Sequence, residues 1–227
     1  MIRRIAGVVT RPRASLAELV ERQTWAATWL FILIVWAICG GWLLSTEVGQ
    51  QALVDERVRI IESFGGTVSD SHYAALLARP PWWVYFISGG RLLLTPEVTL
   101  LVAFALWAVA RFEGAPATFV QGLTVAVHAT LVLLIGQIVA TPLHYVRESL
   151  TSPLNMAAIL PLMEEGTAPA RFFGSLDLFA VWWAGVLAVG LSVLTRRRTG
   201  RYGLLMTALL VTFATVMTAI MAVMSGS

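Results

Sequence analysis

Five polar or ionisable side chains lie within or beside long apolar stretches. They are Arg91, Glu97, Gln121, His128 and Asp177. Side chains of these types can carry charge, exchange protons or donate and accept hydrogen bonds inside a membrane. An unpaired charge inside a membrane costs about 3 kcal/mol, so we expect Arg91 and Glu97 to pair with each other or with Asp177. If the side chains converge, they form a candidate intramembrane polar site that lines a polar path through the membrane. If they do not, each is expected to bond to a neighbouring helix.

No catalytic, cofactor-binding or metal-binding motif accompanies these residues. The three histidines, His72, His128 and His144, share no helical spacing of metal ligands. A phosphate-binding loop, a nucleophile elbow and a zinc-protease motif are absent. The acidic pair Glu164-Glu165 lacks the nearby arginine that follows such a pair in intramembrane prenyl-protein proteases. We therefore predict a non-enzymatic protein with no cofactor and no metal.

The composition places the chain in the membrane class. Of its 227 residues 58% are hydrophobic and 13% are charged, whereas a soluble domain has about 25% charged residues. Every basic group among the 16 lysine and arginine positions is an arginine, and none lies in a patch interleaved with aromatic residues as in nucleic-acid-binding proteins. The expected surroundings are therefore a lipid bilayer, and we expect no nucleic-acid partner.

Five apolar stretches are long enough to cross a bilayer. They lie at about 25–44, 86–110, 119–140, 172–194 and 203–224. The predicted fold class is all-α, a polytopic five-helix transmembrane bundle with short amphipathic extramembrane helices. We divide the chain into a cytoplasmic amphipathic segment, 1–24, and a membrane domain, 25–227, with external loops at 45–81 and 141–171.

The second stretch has two interpretations. Thr95, Pro96 and Glu97 in succession are typical of a helix start, which leaves a span of only about 15 residues. Residues 82–94 would then form an interfacial or partly re-entrant helix. The alternative is one long helix kinked at Pro96.

Capping patterns predict short helices outside the spans. Ser15 and Glu18 match a capping box, which starts a helix whose apolar side is formed by Leu16, Leu19 and Val20. We expect this helix to lie on the cytoplasmic membrane surface; the alternative is a plain extension of the first span. The external helices are predicted from Thr46 to about Phe64, from Ser69 or Ser71 to Ala78, and from Ser152-Pro153 to Leu160.

The arginines predict how the chain is threaded. The run Arg196-Arg197-Arg198 directly follows the fourth stretch, and the external loops hold fewer arginines than acids. The positive-inside rule then puts the N-terminus in the cytoplasm and, after five crossings, the C-terminus outside. The predicted location is the cell membrane, in a multi-pass arrangement.

The fifth stretch carries small residues at alternating steps of four and three. Small residues let helices approach closely, so we predict that this stripe packs against another helix. The stripe consists of Ala208, Thr212, Thr215, Ala219 and Ala222.

Two motifs resemble the Yip family of membrane proteins, the Ypt/Rab-interacting group and its prokaryotic relatives. One is Leu176-Asp177-Leu178-Phe179-Ala180-Val181-Trp182, followed by Gly185 and Gly190. The other is Gly114-Ala115-Pro116-Ala117-Thr118-Phe119-Val120-Gln121, which is similar to the family's entry to the third span; Pro12 and the helix after it also fit.

The resemblance implies a protein that works by association, as a scaffold or accessory subunit of a membrane transport or trafficking complex. Its partner is expected to be another membrane protein or a second copy of the chain. In the prokaryotic branch, which the lysine-free composition favours, an ABC-type exporter is the candidate. The alternative is a small transporter, channel or lipid-moving protein that uses Arg91, Glu97, His128 and Asp177 as a buried polar path.

Overall fold

The described residues are almost entirely helical. The computed structural model describes residues 2–78, 81–159 and 167–225, without the side chains of 2–3, 81, 83–84, 87–88, 90–92 and 225. The helices are α1 (Ile2–Thr10), α2 (Pro12–Arg22), α3 (Ala26–Leu44), α4 (Glu47–Ser63), α5 (Asp70–Leu77), α6 (Pro81–Phe112), α7 (Phe119–Val146), α8 (Met156–Ile159), α9 (Ala168–Gly174), α10 (Leu178–Thr195) and α11 (Thr199–Ser225).

Five of these helices contain segments long and apolar enough to span a membrane. The segments are Ala26–Leu44, Leu93–Phe112, Phe119–Val146, Leu178–Thr195 and Thr199–Met224. No strand occurs among the described residues, where an isolated bridge pairs Asn155 with Asp177. The prediction of an all-α bundle with five membrane-spanning helices is confirmed.

The chain divides into two compact units. Unit 1 consists of residues 1–37, 91–136 and 179–209. Its core is one continuous cluster of buried apolar side chains contributed by every helix segment in the unit. Leu131 of α7 and Leu191 of α10 are completely buried within it. Two thirds of the apolar segment of α7 is buried, 67%, so α7 is the central helix of this core.

Unit 2 consists of residues 38–90, 137–178 and 210–227. Its described core is small: Leu44 and Leu53 are buried together, and Leu150 packs against them. Short helices are fixed instead by local polar contacts. The Thr46 hydroxyl oxygen accepts a hydrogen bond from the Gly49 N–H at 3.0 Å and so caps α4.

The predicted external helices agree with the structure at most of their ends. Helix α4 is capped by Thr46 and ends before Phe64, and α5 is capped by Ser69. Helix α8 starts later than predicted, at Met156. The reason is that Asn155 supplies the cap, since its Oδ1 accepts from the Ala158 N–H at 2.7 Å.

Helix α6 runs without interruption from Pro81 to Phe112. The interpretation of residues 82–94 as a separate interfacial or re-entrant helix is therefore wrong, and the alternative of one long helix is confirmed, while its kink at Pro96 stays a prediction. Pro96 lies inside α6 and removes one backbone donor. Beside it, the Thr95 carbonyl accepts a hydrogen bond from the Thr99 hydroxyl at 2.8 Å.

The fourth predicted span is divided in two, which corrects the range 172–194. Helix α9 ends at Gly174 and α10 begins at Leu178. Between them the backbone is held extended, because the Leu178 N–H donates to the Leu154 carbonyl at 3.1 Å. On the other side of the same bridge, the Met156 N–H donates to the Leu176 carbonyl at 2.9 Å. Pairing with a distant segment replaces the helical bonds that the apolar pattern predicted.

The N-terminal segment forms two helices. Helix α2 begins at Pro12, with no side-chain cap, instead of at Ser15. Its apolar residues Leu16, Leu19 and Val20 are buried in the core of unit 1, together with Val8 of α1. The apolar face is thus covered by protein, whereas we expected it to lie on the membrane.

Candidate functional site

His128 is the centre of a closed hydrogen-bond chain in unit 1. Its ring is completely buried, and Nδ1 lies 2.8 Å from the Thr124 carbonyl, which can only accept. Nδ1 therefore carries the proton, and Nε2 accepts from the Thr28 hydroxyl at 3.2 Å. Arg4 donates in turn to the Thr28 oxygen at 3.3 Å. The chain joins α1, α3 and α7, and both ring nitrogens are satisfied.

Gln121 has a local role at the start of α7. Its side-chain oxygen accepts from the Thr118 N–H at 3.0 Å, while the Thr118 hydroxyl oxygen accepts from the Gln121 N–H at 3.3 Å. This reciprocal pair is a capping box. Glu97 is exposed on α6, and the side chain of Arg91 lies outside the described part of the chain, so the predicted pairing of Arg91 stays a prediction.

Asp177 belongs to unit 2. It immediately precedes α10, and its Oδ2 accepts a hydrogen bond from the Ser152 hydroxyl at 2.5 Å. Its backbone forms the bridge to Asn155. Among the described side chains, Glu97, Gln121 and His128 are not joined by any hydrogen bond or ion pair. The structure therefore gives Gln121, His128 and Asp177 different hydrogen-bond partners.

The small-residue stripe of α11 is largely uncovered in the part of the chain that the structure describes. Ala208, Thr212, Thr215 and Ala219 are exposed, and Ala222 is partly exposed. Only 6% of the apolar segment of α11 is buried. Packing of the stripe against another helix stays a prediction.

A buried carboxylate ties together the polar end of unit 1. Glu113 lies in the turn between α6 and α7, and its side chain is 9% exposed. It accepts from Arg197 Nε at 3.1 Å and from Arg201 at 2.9 Å. The Tyr202 hydroxyl lies 2.5 Å from Glu113 and 2.8 Å from the Thr195 oxygen. One phenol proton serves one acceptor at a time, and the charged carboxylate is the stronger acceptor.

Beside Glu113 is an open groove of about 530 Å³ lined by arginines, which we call the arginine groove. Its lining residues are Arg13, Arg196, Arg197, Arg198 and Arg201. Arg13 donates to the Thr199 hydroxyl oxygen at 3.2 Å, and that hydroxyl also bonds Ser192 at 3.0 Å. The groove is therefore assembled from the start of α2, the turn after α10 and the start of α11.

Sequence reasoning missed this groove because it used the arginines only for threading. A usable signal was present: three consecutive arginines are followed after two residues by Arg201, which is more than a span boundary requires. The contribution of Arg13 and Glu113 had no signal, since both are far away in the chain. Within residues 2–78, 81–159 and 167–225, no three histidine, cysteine or acidic side chains come together as metal ligands.

The chain is similar to a known protein family. The family model of the Yip1 domain matches residues 6–221, which include both motifs at 114–121 and 176–182. No curated protein and no solved structure matches the chain.

Proposed function

Because the chain belongs to the Yip1 domain family of membrane proteins, we propose that it acts by association within the membrane and not by catalysis. Its role is that of a scaffold or accessory subunit in a membrane transport or trafficking complex. The partner is a membrane protein, with an ABC-type exporter as the candidate in a prokaryotic cell, or a second copy of the chain.

The observation that carries this proposal is the separate satisfaction of the polar side chains. His128 bonds Thr28 and Thr124, Gln121 caps its own helix, and Asp177 accepts from Ser152. A transport path requires polar groups that face one another or a common cavity. These groups instead hold helices and turns in place, which supports a structural use of the polar residues.

The arrangement of charges supports a defined orientation. The arginine groove lies at the ends of two apolar segments, after Thr195 and before Thr199. By the positive-inside rule this end of unit 1 faces the cytoplasm. The N-terminus then lies in the cytoplasm and the C-terminus outside the cell membrane.

The test is co-purification of the full chain after mild detergent extraction, with crosslinking before extraction. We expect a reproducible membrane-protein partner or a crosslinked dimer. The exposed stripe on α11 supplies a matched pair of variants. Ala219→Leu enlarges the stripe by three carbon atoms, whereas Ile220→Phe adds three carbon atoms at an exposed position on another side of the same helix. Loss of the partner in the first variant alone supports the proposal, and a protein that always emerges alone contradicts it.

One observation favours the alternative of a transporter, channel or lipid-moving protein. Glu97 is exposed within the apolar segment Leu93–Phe112, where a carboxylate is costly. Flux through liposomes that contain the full chain, compared for wild type, Glu97→Gln and Asp177→Asn, tests this alternative. Flux that is absent, or unchanged in both variants, removes these residues from any transport mechanism.

A further inference from the structure

The arginine groove carries more positive charge than the described residues neutralise. Glu113 engages Arg197 and Arg201, and Arg13 bonds only the neutral hydroxyl of Thr199. Among the described residues, Arg196 and Arg198 take part in no hydrogen bond or ion pair. In this part of the chain, one carboxylate thus pairs with two of the five guanidinium groups that line the groove. We propose that the groove binds the phosphate group of an anionic membrane lipid.

The positions of two arginines support an anionic occupant. Arg13 lies in the first turn of α2 and Arg201 in the first turn of α11, and neither first turn contains an acid. The N-terminus of a helix carries a partial positive charge, so a cation there is unfavourable and an anion is favourable. An oxyanion in the groove interacts favourably with both helix starts and with the arginines.

The turn between α10 and α11 presents its arginines in an unusual backbone conformation. Arg196 has a φ of 56°, which lies in the left-handed region that residues other than glycine rarely adopt. Helix α10 ends at Thr195, directly before this residue, and the three consecutive side chains of Arg196, Arg197 and Arg198 all line the groove. Guanidinium groups bind phosphate oxygens in pairs, which suits such a cluster.

The location of the groove at the ends of two apolar segments indicates that the phosphate group belongs to a lipid. The groove lies at the boundary of the apolar segments Leu178–Thr195 and Thr199–Met224, which is the depth of the lipid headgroups. A phosphatidylglycerol headgroup brings one net negative charge to this depth. The choline of phosphatidylcholine adds a positive charge that the arginines repel, although its phosphate is the same.

The experiment is native mass spectrometry of the full-length protein in neutral detergent, titrated separately with phosphatidylglycerol, phosphatidylcholine and inorganic phosphate. The test variant is Arg196→Gln with Arg198→Gln, because neither side chain has a bonding partner among the described residues and the fold is left intact. The matched control is Arg11→Gln with Arg111→Gln. Both control arginines are exposed residues of unit 1 outside the groove, and the same charge is removed.

We expect one saturable phosphatidylglycerol site in wild type and in the control variant, with at least about tenfold weaker binding in the test variant. Phosphatidylcholine and inorganic phosphate are expected to bind at least about tenfold more weakly than phosphatidylglycerol. Equal weakening in both variants means general electrostatic attraction and overturns the proposal. Inorganic phosphate that binds as tightly as the lipid overturns the lipid assignment, and no saturable site overturns the proposal entirely. None of these results depends on finding a protein partner.

Discussion

Each unit contains an acid that accepts a hydrogen bond from a tyrosine hydroxyl, and the two pairs lie in different surroundings. In unit 1, Glu113 binds Tyr202, which is 1% exposed, and the same carboxylate holds two arginines. In unit 2, Asp55 binds Tyr73 at 2.6 Å, and both side chains are partly exposed. The first pair connects a turn to a distant helix, whereas the second connects two successive helices of one loop.

The apolar cores of the two units also differ in how extensively they are buried. Buried side chains form a continuous cluster throughout unit 1, whereas in unit 2 the described cluster contains Leu44 and Leu53 with Leu150 against them. Unit 1 is therefore stabilised by a much larger continuous apolar core than the described residues of unit 2 provide. We therefore expect equivalent substitutions to cost more stability in unit 1.

The largest expected difference in the loss of stability is between substitutions of the two acids, Glu113 and Asp55. Glu113→Ala removes three hydrogen bonds to a buried carboxylate, so we expect a loss of about 2 to 3 kcal/mol. Asp55→Ala removes one partly exposed bond and is expected to cost about 1 kcal/mol or less. Thermal unfolding of both variants in detergent measures the difference. Equal losses would remove the basis of the contrast.

The next largest difference in stability is expected between alanine substitutions of one helical glycine in each unit. A Cβ on Gly190 would lie 2.1 Å from Cγ1 of Val125, a stiff and completely buried side chain. Gly190→Ala is therefore expected to cost about 2 kcal/mol through overpacking. A Cβ on Gly41 of unit 2 meets nothing within 4 Å, so Gly41→Ala is expected to be neutral or to stabilise by up to about 1 kcal/mol. A stable Gly190→Ala protein would show that the core of unit 1 is looser than the structure indicates.

Two buried threonines give a smaller difference. Thr28→Val leaves Nε2 of the buried His128 without a donor, at a cost of about 1 to 2 kcal/mol. Thr141→Val in unit 2 removes only a local contact with Gln137, which is partly exposed and can bond elsewhere; we expect about 0.5 kcal/mol. Thermal unfolding midpoints of the two variants, measured in the same detergent, give the two losses of stability. A larger loss for Thr141→Val than for Thr28→Val would contradict the hydrogen-bond chain around His128.

The smallest expected effect concerns pH. The hydrogen bond from Tyr73 to Asp55 raises the pKa of the Tyr73 phenol. The protonated phenol is favoured in the folded protein, so its contribution to stability is present below about pH 10 and is lost as pH rises above that value. The difference in tyrosinate absorbance between wild type and Tyr73→Phe reports this pKa. Asp55→Asn should lower it, and an unchanged value would show that the pair is not formed in solution.

Local patterns in the sequence predicted the elements well. The caps at Thr46 and Ser69 depend on residues within one helical turn, and each of the five apolar stretches is continuous in sequence. All of them can therefore be recognised in a single segment. The apolar side of α2 was also visible in the spacing of Leu16, Leu19 and Val20. What covers that side was not visible, because periodicity shows that a face is apolar but not whether protein or lipid lies against it.

The contacts of the candidate site could not be predicted in this way. His128 bonds Thr28 across 100 residues of sequence, and Tyr202 reaches Glu113 across 89. The break between α9 and α10 likewise depends on pairing with Asn155, in a different loop. Such contacts are decided by the packing of whole helices, and no spacing rule within one segment encodes them.

The hydrogen bond from Arg13 to Thr199 has a consequence for the order of assembly during synthesis. It joins residues separated by 186 positions, so the first helices leave the ribosome long before the start of α11 exists. The arginine groove is therefore completed only after Arg201, in the first turn of α11, has been translated. Nascent chains truncated before Thr199 would lack it, which makes this contact a marker that synthesis has reached α11.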